Sequence, residues 1–111
     1  MKKDIIIIGG KEVGVAWCNA TEIAFYKYTS KGVSEFDANN PEHVIYLILS
    51  AVLAYYQHEG KDAPIKSDNL LYDTTPTEKG KAMEVISNLI TEWYKMPEGE
   101  PQEEEDEGKN A

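Results

Sequence analysis

The sequence predicts a small α+β domain in which an N-terminal β-hairpin packs on a bundle of about three helices. Three observations predict this fold class: a β-branched run interrupted by two glycines, a long apolar segment with helix-capping residues at both ends, and a later segment with helical periodicity. With 111 residues, the chain is long enough for one domain with a modest core. We expect this domain to cover residues 1–96, followed by a flexible acidic tail over residues 97–111.

The first segment, DIIIIGGKEVGVAWC, has the pattern of a β-hairpin, because Gly9 and Gly10 tolerate the positive φ angles of a two-residue turn. The first strand places isoleucines on both faces, which is typical of a strand that is covered on each side. Two strands alone are marginally stable. We therefore expect a helix on one face and another protein or subunit on the other, or a further strand elsewhere in the chain. In the second strand, alternation separates bulky from small side chains: Val13, Val15 and Trp17 share one face, and Gly14, Ala16 and Cys18 share the other.

A first helix is predicted directly after the hairpin. Asn19 is its expected N-cap, because an Asn side chain can accept a hydrogen bond from a free N–H of the first turn. Glu22 lies three residues later and is the expected capping-box partner. Gly32 is the expected end of this helix.

A second helix is predicted from Pro41 to Glu59, with Asn40 as its N-cap and Gly60 as its stop. Its centre, from Val44 to Tyr56, is apolar all round, which indicates a helix packed on several sides. This stretch would span about 20 Å, against about 30 Å of bilayer hydrocarbon, so we interpret it as a core helix and not as a membrane span.

A short helical turn is predicted in the segment SDNLLYD, and a third helix follows it. Thr75 is the expected N-cap of that helix, Pro76 its first residue and Glu78 its capping-box partner. Gly80 is expected to permit a close helix contact. The apolar stripe of the helix consists of Ala82, Ile86, Leu89, Ile90 and Trp93.

Most of the negative charge lies at the end of the chain. Residues 98–111 hold seven acidic side chains and one lysine, and so contribute −6 to the net charge of −9. A protein that mimics nucleic acid would spread its acidity over the folded surface, and one that binds nucleic acid would use arginine, which this chain lacks. Both classes are therefore disfavoured. The tail is either a solubilising appendage or a flexible contact for a basic or aggregation-prone partner.

No group of residues has the pattern of a catalytic or metal site. Cys18 is a nucleophile only if His43 or His58 lies within hydrogen-bond reach, and both histidines are expected at the surface. We therefore expect no enzymatic activity, no cofactor and no metal. With one cysteine and no signal-peptide pattern, we expect a cytoplasmic protein.

Aromatic residues near the ends of two helices fit a surface that recognises another protein. Together with two isoleucines of the hairpin, they form the expected partner-binding set: Ile6, Ile8, Tyr55, Tyr56, Trp93 and Tyr94. The uncovered hairpin face also favours a homo-oligomer.

The order of these segments resembles a known family. The hairpin IIIIGGKEVGVAW, the capped helix NATEIAFYKYTSKG, the apolar helix NNPEHVIYLILSAVLAYYQHEG and the later helix before an acidic end are similar to the tail assembly chaperones of long-tailed bacteriophages and prophages. The resemblance covers most of residues 4–95. It implies a non-enzymatic protein of the bacterial host cytoplasm that keeps the tape measure protein, or another tail protein, soluble during tail assembly.

An alternative from another class is an acidic phage or mobile-element inhibitor that binds a host enzyme acting on nucleic acid. A contiguous acidic face on the folded body would favour it, whereas acidity confined to the tail argues against it.

Overall fold

A computed structural model describes residues 1–95 and confirms the predicted α+β fold, an antiparallel hairpin packed on three helices. The predicted acidic tail lies outside the described residues. A 3₁₀ turn (Val33–Glu35) and a π-helical turn (Asn69–Asp73) lie between the helices. The main elements are β1 (Lys2–Ile8), β2 (Lys11–Trp17), α1 (Asn19–Thr29), α2 (Pro41–Glu59) and α3 (Pro76–Lys95).

The hairpin turn fixes which side chains face the core. Gly9 and Gly10 have φ angles of 58° and 78°, as a two-residue turn requires, so Ile8 pairs with Lys11 across the strands. From there the pairing places the alternate residues of both strands on one face, which α2 and α3 cover. This inner face consists of Ile6, Ile8, Val13, Val15 and Trp17, all buried.

The opposite, outer face of the hairpin is only partly covered. The Tyr55 ring lies over Gly14, and the N–H of Gly14 donates a hydrogen bond of 3.0 Å to the Tyr56 hydroxyl, which fastens β2 to α2. On β1, however, Ile5 and Ile7 are 47% and 42% exposed. Within residues 1–95, helices therefore cover one face of β1 and leave the other open, and no further strand extends the sheet. Cover of the open face by another protein or subunit stays a prediction.

The free edge of the hairpin is the outer edge of β1. Gly14 and Ile5 are paired across the strands, and the N–H of Gly14 points away from β1. In an antiparallel pair of this kind, the backbone N–H and C=O of Ile5 also point away from β2, toward the free edge. The Asp4 carboxylate accepts that N–H of Ile5 at 2.7 Å. The edge therefore has one of its donors satisfied within the chain.

Helix α1 begins one residue earlier than an Asn19 cap would require. The N-cap is Cys18, whose extended backbone lets its carbonyl accept the N–H of Thr21 at 3.1 Å. Thr21 completes the start of the helix, since its hydroxyl accepts the Cys18 N–H and donates to the carbonyl of Ala16. Glu22 is thereby left free for other partners.

The end of α1 also differs from the prediction. Ser30, at φ 61°, is the left-handed residue that ends the helix, and its N–H donates to the carbonyl of Tyr26 at 2.7 Å. Gly32 instead precedes the 3₁₀ turn. Helices often end at a glycine, because glycine adopts the left-handed conformation without strain. A serine can adopt the same conformation at a modest cost, so the prediction based on Gly32 places the end of α1 two residues too late.

Helix α2 has the predicted bounds. The Asn40 side chain accepts hydrogen bonds from the N–H groups of Glu42 and His43, and Gly60, at φ 72°, ends the helix. As predicted, the helix is packed on several sides, against α1, β2 and α3. Ser50 is fully buried within it, and its hydroxyl donates to the Tyr46 carbonyl at 2.6 Å, so burial leaves no unpaired hydroxyl.

Helix α3 begins with the predicted capping box, in which Thr75 and Glu78 exchange hydrogen bonds. The two carboxylate oxygens of Glu78 also accept the N–H groups of Gly9 and Gly10 at 2.9 and 3.0 Å. One side chain thus fastens the hairpin turn to the start of α3. These hydrogen bonds, that of Gly9 foremost, lower the pKa of Glu78 below its usual value.

The predicted stripe of α3 faces the core, with Ala82, Ile86 and Leu89 buried. Gly80 does not make the expected close helix contact, because a Cβ at this position would meet open space.

We expect Gly14→Ala to lower the free energy of unfolding by about 1–3 kcal/mol, because the added Cβ would overlap the Tyr55 ring. The matched control is Gly80→Ala, which should raise that free energy by about 0.5–1 kcal/mol, since it adds a helix-favouring residue without a clash. Urea unfolding followed by circular dichroism measures both. Equal effects of the two substitutions would contradict the packing described for Gly14.

We expect Glu78→Gln to lower the free energy of unfolding at pH 7, because the hydrogen bonds to Gly9 and Gly10 lose their charged acceptor. The folded-state pKa of Glu78 is lowered, so its stabilisation is present above the unfolded pKa of about 4.3 and is lost as pH falls through the folded pKa. The difference between wild type and variant should therefore shrink on acidification below about pH 4.

The control for this substitution is Glu84→Gln, at an exposed position of the same helix. Unfolding at several pH values from neutral to acidic should show no comparable pH-dependent difference for it. A Glu78→Gln effect that stays constant over this range would show that charge does not carry the contact.

Candidate interaction surface

Cys18 and His43, two of the residues considered above for catalysis, each contact another polar group. The Cys18 sulfur lies 3.9 Å from the Thr21 hydroxyl at the start of α1. His43 is buried, which contradicts the expectation of a surface position, and its Nδ1 accepts the N–H of Asp37 at 3.0 Å. This hydrogen bond holds the loop before α2 against the imidazole ring of His43.

The aromatic neighbours of His43 explain its burial. Its ring contacts Phe25 of α1 edge to face, with 5.7 Å between ring centroids, and also lies near Phe36. His58, in contrast, is at the surface as predicted, near the Glu59 carboxylate at 3.9 Å. Within residues 1–95 the structure holds no group of three or more His, Cys, Asp or Glu side chains arranged for a metal ion.

The residues predicted to bind a partner divide into three groups by exposure. Tyr55, Tyr56 and Trp93 are half-buried, and the two tyrosines cover Gly14 and β2. Tyr94 is 63% exposed, and its hydroxyl donates to the Glu22 carboxylate. Ile6 and Ile8 lie in the core.

Ile6 and Ile8 are therefore not accessible to a partner. The isoleucines that β1 exposes are Ile5 and Ile7, and we expect any partner contact on this strand there. The sequence held a signal for this. A two-residue turn at Gly9 and Gly10 pairs Ile8 with Lys11, and so places Ile6 and Ile8 on the bulky face of β2.

A groove that sequence reasoning missed lies between the first half of α2 and the segment that leads into α3. Its volume is about 380 Å³ and it is open to solvent along one side. Leu71, which lines it, is 48% exposed, and the adjacent Tyr72 is 81% exposed. We call it the α2 groove; its lining residues are Pro41, Glu42, Ile45, Tyr46, Leu70, Leu71, Thr74 and Lys79.

The wall of the α2 groove is held by the side chain and carbonyl of Asn69. Its amide oxygen accepts the N–H of Lys66 at 2.8 Å, and its amide nitrogen donates to Asp73 at 3.2 Å. The Thr74 hydroxyl donates to the Asn69 carbonyl. Leu70 thereby points into the core, while Leu71 and Tyr72 are presented outward. This contrast between neighbours gives the short segment its exposed apolar side.

A second apolar depression lies on the outer side of α1. Its volume is about 470 Å³, and Ile23 and Tyr26, which line it, are 57% and 59% exposed. At one end lies Glu22, whose carboxylate accepts both the Trp17 indole N–H, at 3.3 Å, and the Tyr94 hydroxyl. We call it the α1 groove; its lining residues are Asn19, Glu22, Ile23, Tyr26, Gly32 and Val33.

The side chains that line both grooves are of kinds found at binding surfaces. Their exposed members are aliphatic and tyrosine side chains, which supply contact area and hydrogen bonds at low entropic cost. Each groove has a polar rim, with Glu42 and Lys79 beside the α2 groove. An apolar centre with a polar rim is the arrangement of a protein–protein interface.

Comparisons of the chain with protein-family models, with curated proteins and with solved structures return no match. In the part of the chain that the structure describes, no helix has the length and hydropathy needed to cross a membrane.

We expect Tyr94 to titrate above the ordinary tyrosine range. Its pKa is raised mainly by the hydrogen bond that it donates to Glu22, together with burial and the charge of that carboxylate. Because the folded pKa is raised, this contact stabilises the protein fully below about pH 10 and is lost as pH rises through the folded pKa.

Absorbance titration of tyrosinate measures this. The signal that Tyr94→Phe removes should appear above the ordinary tyrosine range, and the control Glu22→Gln should bring it down into that range. A Tyr94 signal that Glu22→Gln leaves unchanged would contradict the contact with Glu22.

Proposed function

We propose that this protein is a non-enzymatic chaperone of phage or prophage tail assembly, which keeps a tape measure protein soluble in the bacterial cytoplasm by binding its apolar helical segments. The observation that carries the proposal is the α2 groove, an open apolar channel bordered by a short segment that exposes Leu71 and Tyr72. The resemblance in segment order supplies the identity of the client.

The apolar lining of the α2 groove suits an amphipathic helix as client. An amphipathic helix can lay its apolar side chains, spaced three and four residues apart, into such a groove. Leu71 and Ile45 supply apolar contact, and Tyr72 supplies a large amphipathic side chain of the kind enriched at interfaces. An extended strand would instead need the edge of β1, where Asp4 already accepts an N–H.

The exposed apolar side chains also fit a chaperone because the client must be released when the tail tube assembles. An interface of two exposed side chains and one shallow groove is small, and small interfaces are typical of transient complexes. The same fold presents further apolar side chains, Ile5 and Ile7, from the hairpin. A long client can thus be bound at more than one place, which raises its overall affinity without a strong single contact.

Co-expression with the tape measure protein of the same phage or prophage tests the proposal. We expect the soluble fraction of the client to rise when the wild-type protein is present. The double substitution Leu71→Asp and Tyr72→Asp should abolish most of that rise, because it places two charges at the groove without touching the core.

The matched control is Thr77→Asp, an added acid at an exposed position in the first turn of α3, where the helix dipole favours it. It should protect the client as well as wild type does. Client solubility that is equal with and without the wild-type protein would overturn the proposed function. Full protection by the Leu71 and Tyr72 variant would instead overturn the assignment of the site.

A further inference from the structure

The α1 groove lies where the described part of the chain ends. The hydroxyl of Tyr94 donates to Glu22, which lines one end of this groove, so the last turn of α3 is held against the first turn of α1. Lys95 is the last residue of α3. The described part of the chain therefore ends beside an exposed apolar depression.

The order of residue types beyond Lys95 matches the order of groups along α1. Met96 and Pro97 come first, and the acidic residues Glu98 and Glu100 follow. From Glu22 onward, the apolar Ile23 and Tyr26 come first and the exposed Lys27 follows in α1, with the exposed Lys31 just beyond Ser30, where the helix ends. An alignment of the two segments from Glu22 onward would thus pair apolar residues with apolar residues and acids with lysines.

The distances allow this alignment. From Glu22 to Thr29, the last residue of α1, the helix rises about 10 Å. Five residues in extended conformation span about 17 Å. Residues 96–101 can therefore run along the outer side of α1 from its first turn to its end.

The two lysines are available for such a contact. The ion pairs within residues 1–95 are those of Glu59 with Lys3 and His58, so Lys27 and Lys31 are in none of them. Glu35, in the 3₁₀ turn, partly offsets their positive charge. The apolar contact of Met96 must therefore supply most of the binding, and the lysines set its direction.

We propose that residues 96–101 of this chain bind along the α1 groove, with Met96 between Ile23, Tyr26 and Val33, and with Glu98 and Glu100 beside Lys27 and Lys31. The chain thereby covers the apolar side of α1 with its own segment and leaves the α2 groove to partners. The acidic residues beyond 101 remain free of this contact. The proposal does not depend on the identity of any client.

Nuclear magnetic resonance on the full, isotope-labelled chain tests it without a partner. We expect cross peaks between the Met96 methyl group and the side chains of Ile23 and Tyr26. Backbone order parameters over residues 96–101 should lie above about 0.6, and those near the end of the chain below that value. Met96→Ser should shift the amide signals of Ile23 and Tyr26 and leave those of the α2 groove unchanged.

Two double variants with the same change in net charge distinguish docking of residues 96–101 from a general effect of the acidic charge. Glu98→Lys with Glu100→Lys should lower the order parameters of residues 96–101, whereas Glu104→Lys with Glu105→Lys changes the net charge equally and should not. Three results would each overturn the proposal: no cross peak from Met96 to α1, order over 96–101 that arises only by continuation of α3, or equal effects of the two variant pairs. None of these results depends on whether the tape measure protein is kept soluble.

Discussion

The structure depends on one constraint: a two-stranded hairpin is marginally stable in water, so the helices must hold it. They do so at three places. Its inner face, which includes Ile8 and Trp17, packs against α2 and α3. Its second strand is fastened through Gly14, whose missing side chain leaves room for Tyr55. Its turn is bound by the carboxylate of Glu78, which also begins α3.

The sequence was sufficient for the hairpin and for the two long helices, because their ends use side chains with strong local preferences. Asn40, Pro41 and Gly60 bound α2 as predicted, and Thr75 with Glu78 begins α3. The ends of α1 were placed wrongly, because Cys18 caps through its backbone and Ser30 adopts a conformation that its residue type does not favour. The burial of His43 could not be predicted either, since it depends on Phe25 and Phe36, which only the tertiary fold brings to it.

The candidate site was predictable only in part. Aromatic residues near the helix ends were expected at a partner surface, and Tyr94 is exposed there. The choice between Ile5 and Ile6 required the strand register, because a run of isoleucines has no alternation of its own. The α2 groove had no signal in the local pattern, since it forms between the start of α2 and a segment that begins near Asn69. Such a surface arises from the packing of elements distant in sequence.

The bond from the Ile5 N–H to the Asp4 carboxylate has a consequence for storage and expression of the protein. Four consecutive isoleucines on a sheet edge are the kind of segment that adds to identical strands of other molecules and grows into fibrils. A strand that pairs with this edge would have to replace the Asp4 carboxylate as the acceptor of the Ile5 N–H. The Asp4 carboxylate would then lie close to the backbone carbonyls of the incoming strand. Asp4 therefore has the position of a gatekeeper residue, an acid beside a strand that would otherwise favour cross-β pairing.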